Sequence, residues 1–293
     1  MQKRNRKFLL IVLIPAFVQI FIFMILPIIG TSAISFLEYN PLQTANRFVG
    51  LGNYGEILHD DYFWIALKNT LVFTVVTVSL NILTALTLAA LITQFRSNKT
   101  RAFFRMIVFL PCIAPMVASA VVWSRSLYET NSGLFNTIIK AFGGNAIPWL
   151  ADARYLMISI IIFTIWVDVG YNTILFSAGM DGIPKDMYAA AQIDGAGRWR
   201  LFRDITLPLL GRTTAFVTLM TLISHFQMFA QFNILALKDG PQSSGLVLTG
   251  YIYKQAFVYK QMGYAAAIFV VLFLIIMCVS LVQQRISKVD WEY

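Results

Sequence analysis

NTLVFTVVTVSLNILTALTLAALITQ, from Asn69 to Gln94, runs for 26 residues without one charged side chain. Crossing about 30 Å of hydrocarbon takes roughly 20 apolar residues of helix. A helix on the surface of a soluble domain keeps a polar face, and this stretch offers only threonine, serine, asparagine and a terminal glutamine for one. It reads as a membrane span. On either side lie five more stretches of similar character: 8–30, 106–123, 155–179, 213–237 and 263–282. The fourth of the six spans carries one acid, Asp168, and the fifth one histidine, His225. Backbone groups in lipid must bond within their own segment, which makes these helices. The ten-residue alternating segments of an outer-membrane barrel are absent. The expected fold is all-α, a polytopic membrane protein of six transmembrane helices forming one domain over residues 1–293.

Composition agrees. Hydrophobic residues make up 58% and charged residues 13% of the chain, against about 25% charged in soluble domains. That excludes an ordinary soluble enzyme and a disordered chain. Cys112 and Cys278 both sit in apolar runs, so no disulfide framework or redox pair is available. The first span follows Lys3, Arg4, Arg6 and Lys7 and is 23 residues long, beyond the roughly 7–15 of a cleaved signal. It is expected to stay as the first helix. Of the 23 Lys and Arg residues, 15 fall at the two ends and in the loops at 95–105 and 180–212, and 8 in the alternate loops. The positive-inside rule then places both termini in the cytoplasm. The net charge of +9 is mostly this topology signal, with anionic lipid as its partner and no need of nucleic acid.

One cytoplasmic loop stands apart. Asp181 to Gly211 reads DGIPKDMYAAAQIDGAGRWRLFRDITLPLLG. Pro184 suits a first helical turn, and Lys185 to Ile193 is rich in helix formers. Gly195 and Gly197 interrupt, with Asp194 placed to cap the next helix. That second short helix, Arg198 to Ile205, sets Trp199, Phe202 and Ile205 as an apolar ridge, and Pro208 is expected to end the unit. Physics alone leaves two readings open, an amphipathic hairpin in the headgroup layer or a docking surface for a soluble partner.

The pattern Tyr188-x-Ala190-Ala191-x-Ile193-Asp194-Gly195-Ala196, then Phe202, then Ile205-x-Leu207-Pro208 resembles the cytoplasmic EAA loop of permease subunits of binding-protein-dependent ABC importers. Phe48-Val49-Gly50-Leu51-Gly52-Asn53-Tyr54, Leu110-Pro111 with Pro115 and Trp123, and Pro148-Trp149-Leu150 are similar to the carbohydrate-uptake (maltose and glycerol-phosphate) branch. The glutamate that names the loop is Ala189 here, and a proline common after the Leu-Pro pair is Gly211. The resemblance implies a loop that docks in an ATPase subunit through Tyr188, Ala189, Ala190, Ala191, Asp194, Gly195, Ala196, Trp199, Phe202 and Pro208. Small alanines let a helix sit deep in a groove, Gly195 permits the turn, and the aromatics offer anchor area.

The same resemblance implies a second permease, a dimer of ATP-binding subunits holding ATP and Mg, an extracytoplasmic solute-binding protein and a sugar-like solute, in a bacterial inner membrane. Asp168, Tyr171 and Asn172 share one helical face, which either lines the translocation path or forms a polar clasp between helices. Ser224, Gln227 and Gln231 are candidates on span five, where amides suit a hydroxyl-rich solute; His225 reads as a packing residue. Thr70, Thr74, Thr77, Asn81 and Thr84 form a heptad seam for helix packing, with Asn81 the one candidate for solute contact. Gly240 to Gly245 has the glycine spacing of a P-loop, but Leu246 and Val247 replace the Lys-Ser/Thr pair. No catalytic or metal-binding constellation is present, and no cofactor is expected in this chain. The alternative is a self-contained proton-coupled carrier or channel using Asp168.

Overall fold

The computed structural model describes residues 13–42 and 46–287. Within them, four helices are long and apolar enough to cross a membrane: α1, Leu13–Ile34, of 22 residues; α3, Asp61–Thr93, of 33; α7, Ala153–Asp181, of 29; and α13, Met262–Ile286, of 25. Two bent pairs pass the same test together and would make six if each is one span: α4, Asn98–Ile113, with α5, Met116–Leu127, at 91°, and α9, Arg198–Leu209, with α10, Gly211–Phe226, at 65°. Shorter helices are α2, Gly52–Leu58, α6, Leu134–Ala141, α8, Lys185–Ile193, α11, Ala230–Leu235, and α12, Leu248–Tyr253. The strands are two-residue pieces, β1 at Leu37–Glu38 and β2 at Arg47–Phe48, paired antiparallel.

The 91° bend falls inside the expected third span, and the expected fifth span, 213–237, breaks after Phe226. Between α4 and α5, Ala114 (φ −67°, ψ 137°) and Pro115 (φ −57°, ψ 122°) are both out of the helical region. A proline pushes the residue before it out of α and supplies no N–H, so the chain turns there. The fifth span ends at Phe226; Gln227 and Phe229 (φ −130°) break it before α11. The second span starts at Asp61, ahead of the charge-free window. Asp60 caps it, its Oδ1 accepting from the Tyr62 and Phe63 amides at 2.9 and 3.3 Å. The start of the first expected span, residues 8–12, lies outside the described residues.

Two prolines inside helices, Pro27 and Pro208, are met by a common device. A five-residue π turn, Phe21–Ile25, precedes Pro27, and another, Phe202–Thr206, precedes Pro208. In each the carbonyl four residues before the proline lies inside the widened turn, where the ring would otherwise clash. The helix from Arg198 therefore runs through Pro208 to Leu209, past the expected end at Ile205, and the change of direction falls at Leu210.

The chain divides into two compact units, residues up to Trp64 with Tyr251–Ile275, and Ile65–Gly250 with residues from Ile276 on. In the first, Asn53 of α2 donates to the Ser35 and Leu37 carbonyls at 2.8 and 3.0 Å. Asp60 Oδ2 accepts from the hydroxyls of both Tyr251 and Tyr264 at 2.5 Å. Burial, with the Asp60 carboxylate beside it, pushes the Tyr251 phenol up, so it remains a donor. A side chain at Gly263 would overlap the Leu37 carbonyl, so that close approach requires glycine.

In the second unit an aromatic cluster forms around Trp123, with Tyr128, Phe135, Phe163 and Trp166 at ring-centre distances of 5.4, 5.8, 5.4 and 5.0 Å. Tyr128 donates to the Ser159 carbonyl at 2.7 Å. A second core joins Ala85, Ala89, Phe176, Met180, Leu210 and Val217. The threonine seam of α3 is buried at Thr70, Thr74, Thr77 and Asn81. It does not continue to Thr84, which is exposed; Ala85 and Ala89 take over. A straight helix of 3.6 residues per turn drifts off a heptad stripe in this way.

Candidate functional site

The two-helix protrusion is built from the end of α7 onward. Ile183 is buried, Pro184 (ψ 128°) sets the start, and α8 covers Lys185–Ile193, as the sequence suggests. Its end is a Schellman turn. Gly195 stands at φ +78°, its N–H donates to the Gln192 carbonyl at 3.1 Å, and the Ala196 N–H donates to Ala191 at 2.9 Å. Asp194 thus closes α8 rather than capping α9; the residue before α9 is Gly197, with no side-chain cap. Tyr188 and Thr206 join hydroxyls at 2.9 Å across the two helices.

This arrangement sorts the residues that the sequence reading assigned to coupling into two groups. Tyr188, Phe202 and Ile205 pack inward against the core of Ala85, Phe176 and Leu210, so the expected ridge of Trp199, Phe202 and Ile205 is split. Ala191 and Ala196 are half-buried. Ala189, Ala190, Asp194, Gly195 and Pro208 are exposed. So are two large apolar side chains, Trp199 at 71% and Ile193 at 86%. Ile193 was not singled out as a contact by sequence reasoning, although its place beside the turn was the available signal. Asp181 at the root of the protrusion pairs with Arg105 at 2.7 Å and Arg101 at 3.4 Å, a tie from α7 to α4 with no local sequence signal.

The intramembrane candidates also divide. Asn172 of α7 donates to Asn81 Oδ1 of α3 at 2.7 Å and to Thr221 Oγ1 of α10 at 3.1 Å, all three buried. Asn81 and Asn172 form a clasp among three helices, which is one of the two readings the sequence leaves open for the Asn172 face. Gln231 is buried, its amide on the Met228 sulfur at 3.1 Å. His225 is buried too, stacked on Phe73 with ring centres 5.9 Å apart and bonded through Nδ1 to the Thr221 carbonyl at 2.8 Å. Its Nε2 lies 3.7 Å from Asp168 Oδ2, a pairing 57 residues apart in sequence. Tyr171 on α7, Ser224 on α10 and Gln227 just past the end of α10 remain exposed.

The P-loop-like glycines serve packing. A Cβ at Gly240 would overlap the Leu156 side chain, and one at Gly245 would overlap Ala236.

A comparison with known families covers the protrusion and the spans around it together. Residues 81–288 match the model described as the binding-protein-dependent transport system inner membrane component. The chain belongs to that family. It is a multi-pass ABC importer permease by that membership. It is 32% identical over 294 residues, spanning both chains completely, to a probable ABC transporter permease protein, YurN, of Bacillus subtilis. It is 33% identical to the arabinooligosaccharides transport system permease protein AraP of the same organism, over 93% of this chain and 86% of the relative. The lactose transport system permease protein LacF of Rhizobium radiobacter is also 33% identical, over 92% and 90%. Among solved structures, a bacterial ABC transporter involved in the import of the acidic polysaccharide alginate shares the fold, with a TM-score of 0.86, 22% identity and 99% of each chain covered. The alternative of a self-contained carrier built on Asp168 finds no support among these relatives.

Proposed function

We propose that this permease is one of two membrane subunits of an ATP-driven importer for a neutral sugar or related polyol. It acts as a single transmembrane domain over its length, with both termini in the cytoplasm of a bacterial inner membrane. A solute-binding protein delivers the solute outside, and a pair of ATP-binding subunits, holding ATP and Mg, drives the cycle inside. The chain itself performs no chemistry on the solute or on ATP. One observation carries the reading: the protrusion at 184–208 exposes Ala189, Ala190, Ile193, Asp194, Gly195 and Trp199, a small and apolar face with its backbone bonds closed internally. Such a face needs a complementary groove, and large aromatic anchors dominate interfaces of this kind.

The inward group explains how a push on that face reaches the membrane. Tyr188 and Phe202 lock the protrusion to the ends of α3, α7 and α10, so closure of the ATP-binding subunits moves those ends together. The solute path uses Tyr171, Ser224 and Gln227, with Asp168 beside them. Exposed polar groups within spans are costly against lipid, so they face the second permease and the path. The relatives named for arabinooligosaccharides and lactose support a saccharide, and spans four and five as read from sequence contain no Lys or Arg for an anion.

The test is purification of the tagged chain from its native membrane in gentle detergent, beside Gly195→Pro. Recovery of an ATP-binding subunit and a second permease with the intact chain, and loss of the ATP-binding subunit from the variant, is expected. Recovery of the chain alone, moving solute in liposomes without ATP, would overturn the reading.

A further inference from the structure

Between the protrusion and the span ends lies a cavity of ≈ 640 Å³, whose lining includes Tyr188, Trp199, Phe202 and Thr206 of the protrusion. Leu91 of α3, Met180 of α7 and Leu201 and Phe202 of α9 form an apolar wall, and Lys185 and Arg198 add two cations. Arg101, also at the cavity, is committed to Asp181 and to the Thr93 and Phe95 carbonyls. Lys185 and Arg198 have no ion pair among the described residues. The wall and the charges come from both coupling helices and from two long spans, all within one compact unit.

Two features select the ligand class. A water-soluble anion has no use for the apolar wall, and a zwitterionic lipid brings a further cation beside Lys185 and Arg198. An anionic amphiphile satisfies both. The cavity sits where α3 ends, at Thr93, which is where a 33-residue span reaches the headgroup layer. Given the orientation of the permease reading, on which this inference rests, that layer is the cytoplasmic leaflet with its negative surface potential. We propose that the cavity holds one anionic phospholipid, its phosphate on Lys185 and Arg198 and its acyl chain along Leu91, Met180, Leu201 and Phe202. The lipid braces the protrusion against the spans, so its occupancy sets how rigidly a push is transmitted.

The experiment is native mass spectrometry of the full purified chain titrated with phosphatidylglycerol and, separately, phosphatidylcholine. The intact chain retains one phosphatidylglycerol in preference to phosphatidylcholine. Lys185→Gln with Arg198→Gln lowers that retention at least tenfold, while Arg200→Gln with Arg203→Gln, equal in charge but outside the cavity lining, leaves it unchanged. Equal loss in both double variants, or loss in neither, overturns the site. Displacement by excess glycerol 3-phosphate would show a free-anion site and overturn the lipid assignment. Retention is read on the chain alone, so its failure is distinct from failure to recover an ATP-binding subunit, which would instead undo the permease reading.

Discussion

The coupling protrusion and the polar clasp of the spans treat exposed and buried groups in opposite ways. In the protrusion the backbone closes on itself around Gly195 while Ile193 and Trp199 stay in the open. In the spans Asn81, Asn172 and Thr221 turn inward and bond to one another. Polar groups that face inward in a membrane need each other; apolar groups left outside the membrane need a partner that is not in this chain. One region holds helices in register, and the other is proposed here as half of an interface.

The largest expected effect sharpens the second half of that contrast. Trp199→Ala or Ile193→Glu removes or spoils an anchor, and hot-spot anchors are worth about 2 kcal/mol or more, roughly thirtyfold in affinity. Solute-stimulated ATP hydrolysis by the assembled complex in proteoliposomes should fall by that order, with the chain still inserted and monodisperse. Unchanged hydrolysis would break the comparison.

Next comes the clasp. Asn172→Leu strands the Asn81 and Thr221 groups, and interhelical hydrogen bonds in membranes average about 0.6 kcal/mol with a maximum near 1.7. A double-mutant cycle of Asn172 and Asn81 by reversible unfolding in mixed micelles should give a coupling of that order. A coupling of zero, with solute affinity falling instead, would return both residues to the path. Tyr188→Phe is comparable: it keeps the packing and loses the hydroxyl bond to Thr206, about 1 kcal/mol. Hydrogen exchange over residues 185–206 should quicken with little change in assembly.

The smallest effect concerns the entry to α7. Asp152 accepts from the Arg154 amide at 2.9 Å and its guanidinium at 2.8 Å, and that guanidinium holds the carboxyl down at about 2. Its folded value lies below the ordinary 3.8, so the cap contributes fully above that value and is lost as pH falls toward about 2. Exchange protection of residues 153–156, corrected for intrinsic rate, should be the same at pH 7 and pH 5 and decline only below that. Asp152→Asn should remove the decline.

The protrusion was largely legible in sequence because its signals are local. Pro184, the run of helix formers and Gly195 each act on neighbouring residues, and α8 begins and ends where they say. The bends were harder. Pro115 was visible as a residue, yet an apolar window counts it as one more uncharged position and passes over the 91° turn. Gln227, where α10 stops, carries no proline or glycine to announce the break. Pro208 misled in the other direction, since the π turn at Phe202–Thr206 absorbs the missing donor and the helix goes on. The Asn81–Asn172–Thr221 clasp and the approach of Asp168 to His225 join separate helices. Composition and spacing along one helix place such residues on a face, and only packing decides what that face meets.

The most direct measurement places a photo-crosslinking residue at Ile193 and, separately, at Gln227 in the full assembly within its native membrane. A crosslink to the ATP-binding subunit is expected from position 193 and none from 227. Failure of position 193 to reach that subunit, in an assembly that still hydrolyses ATP on solute delivery, would contradict the assignment of the protrusion as the coupling face.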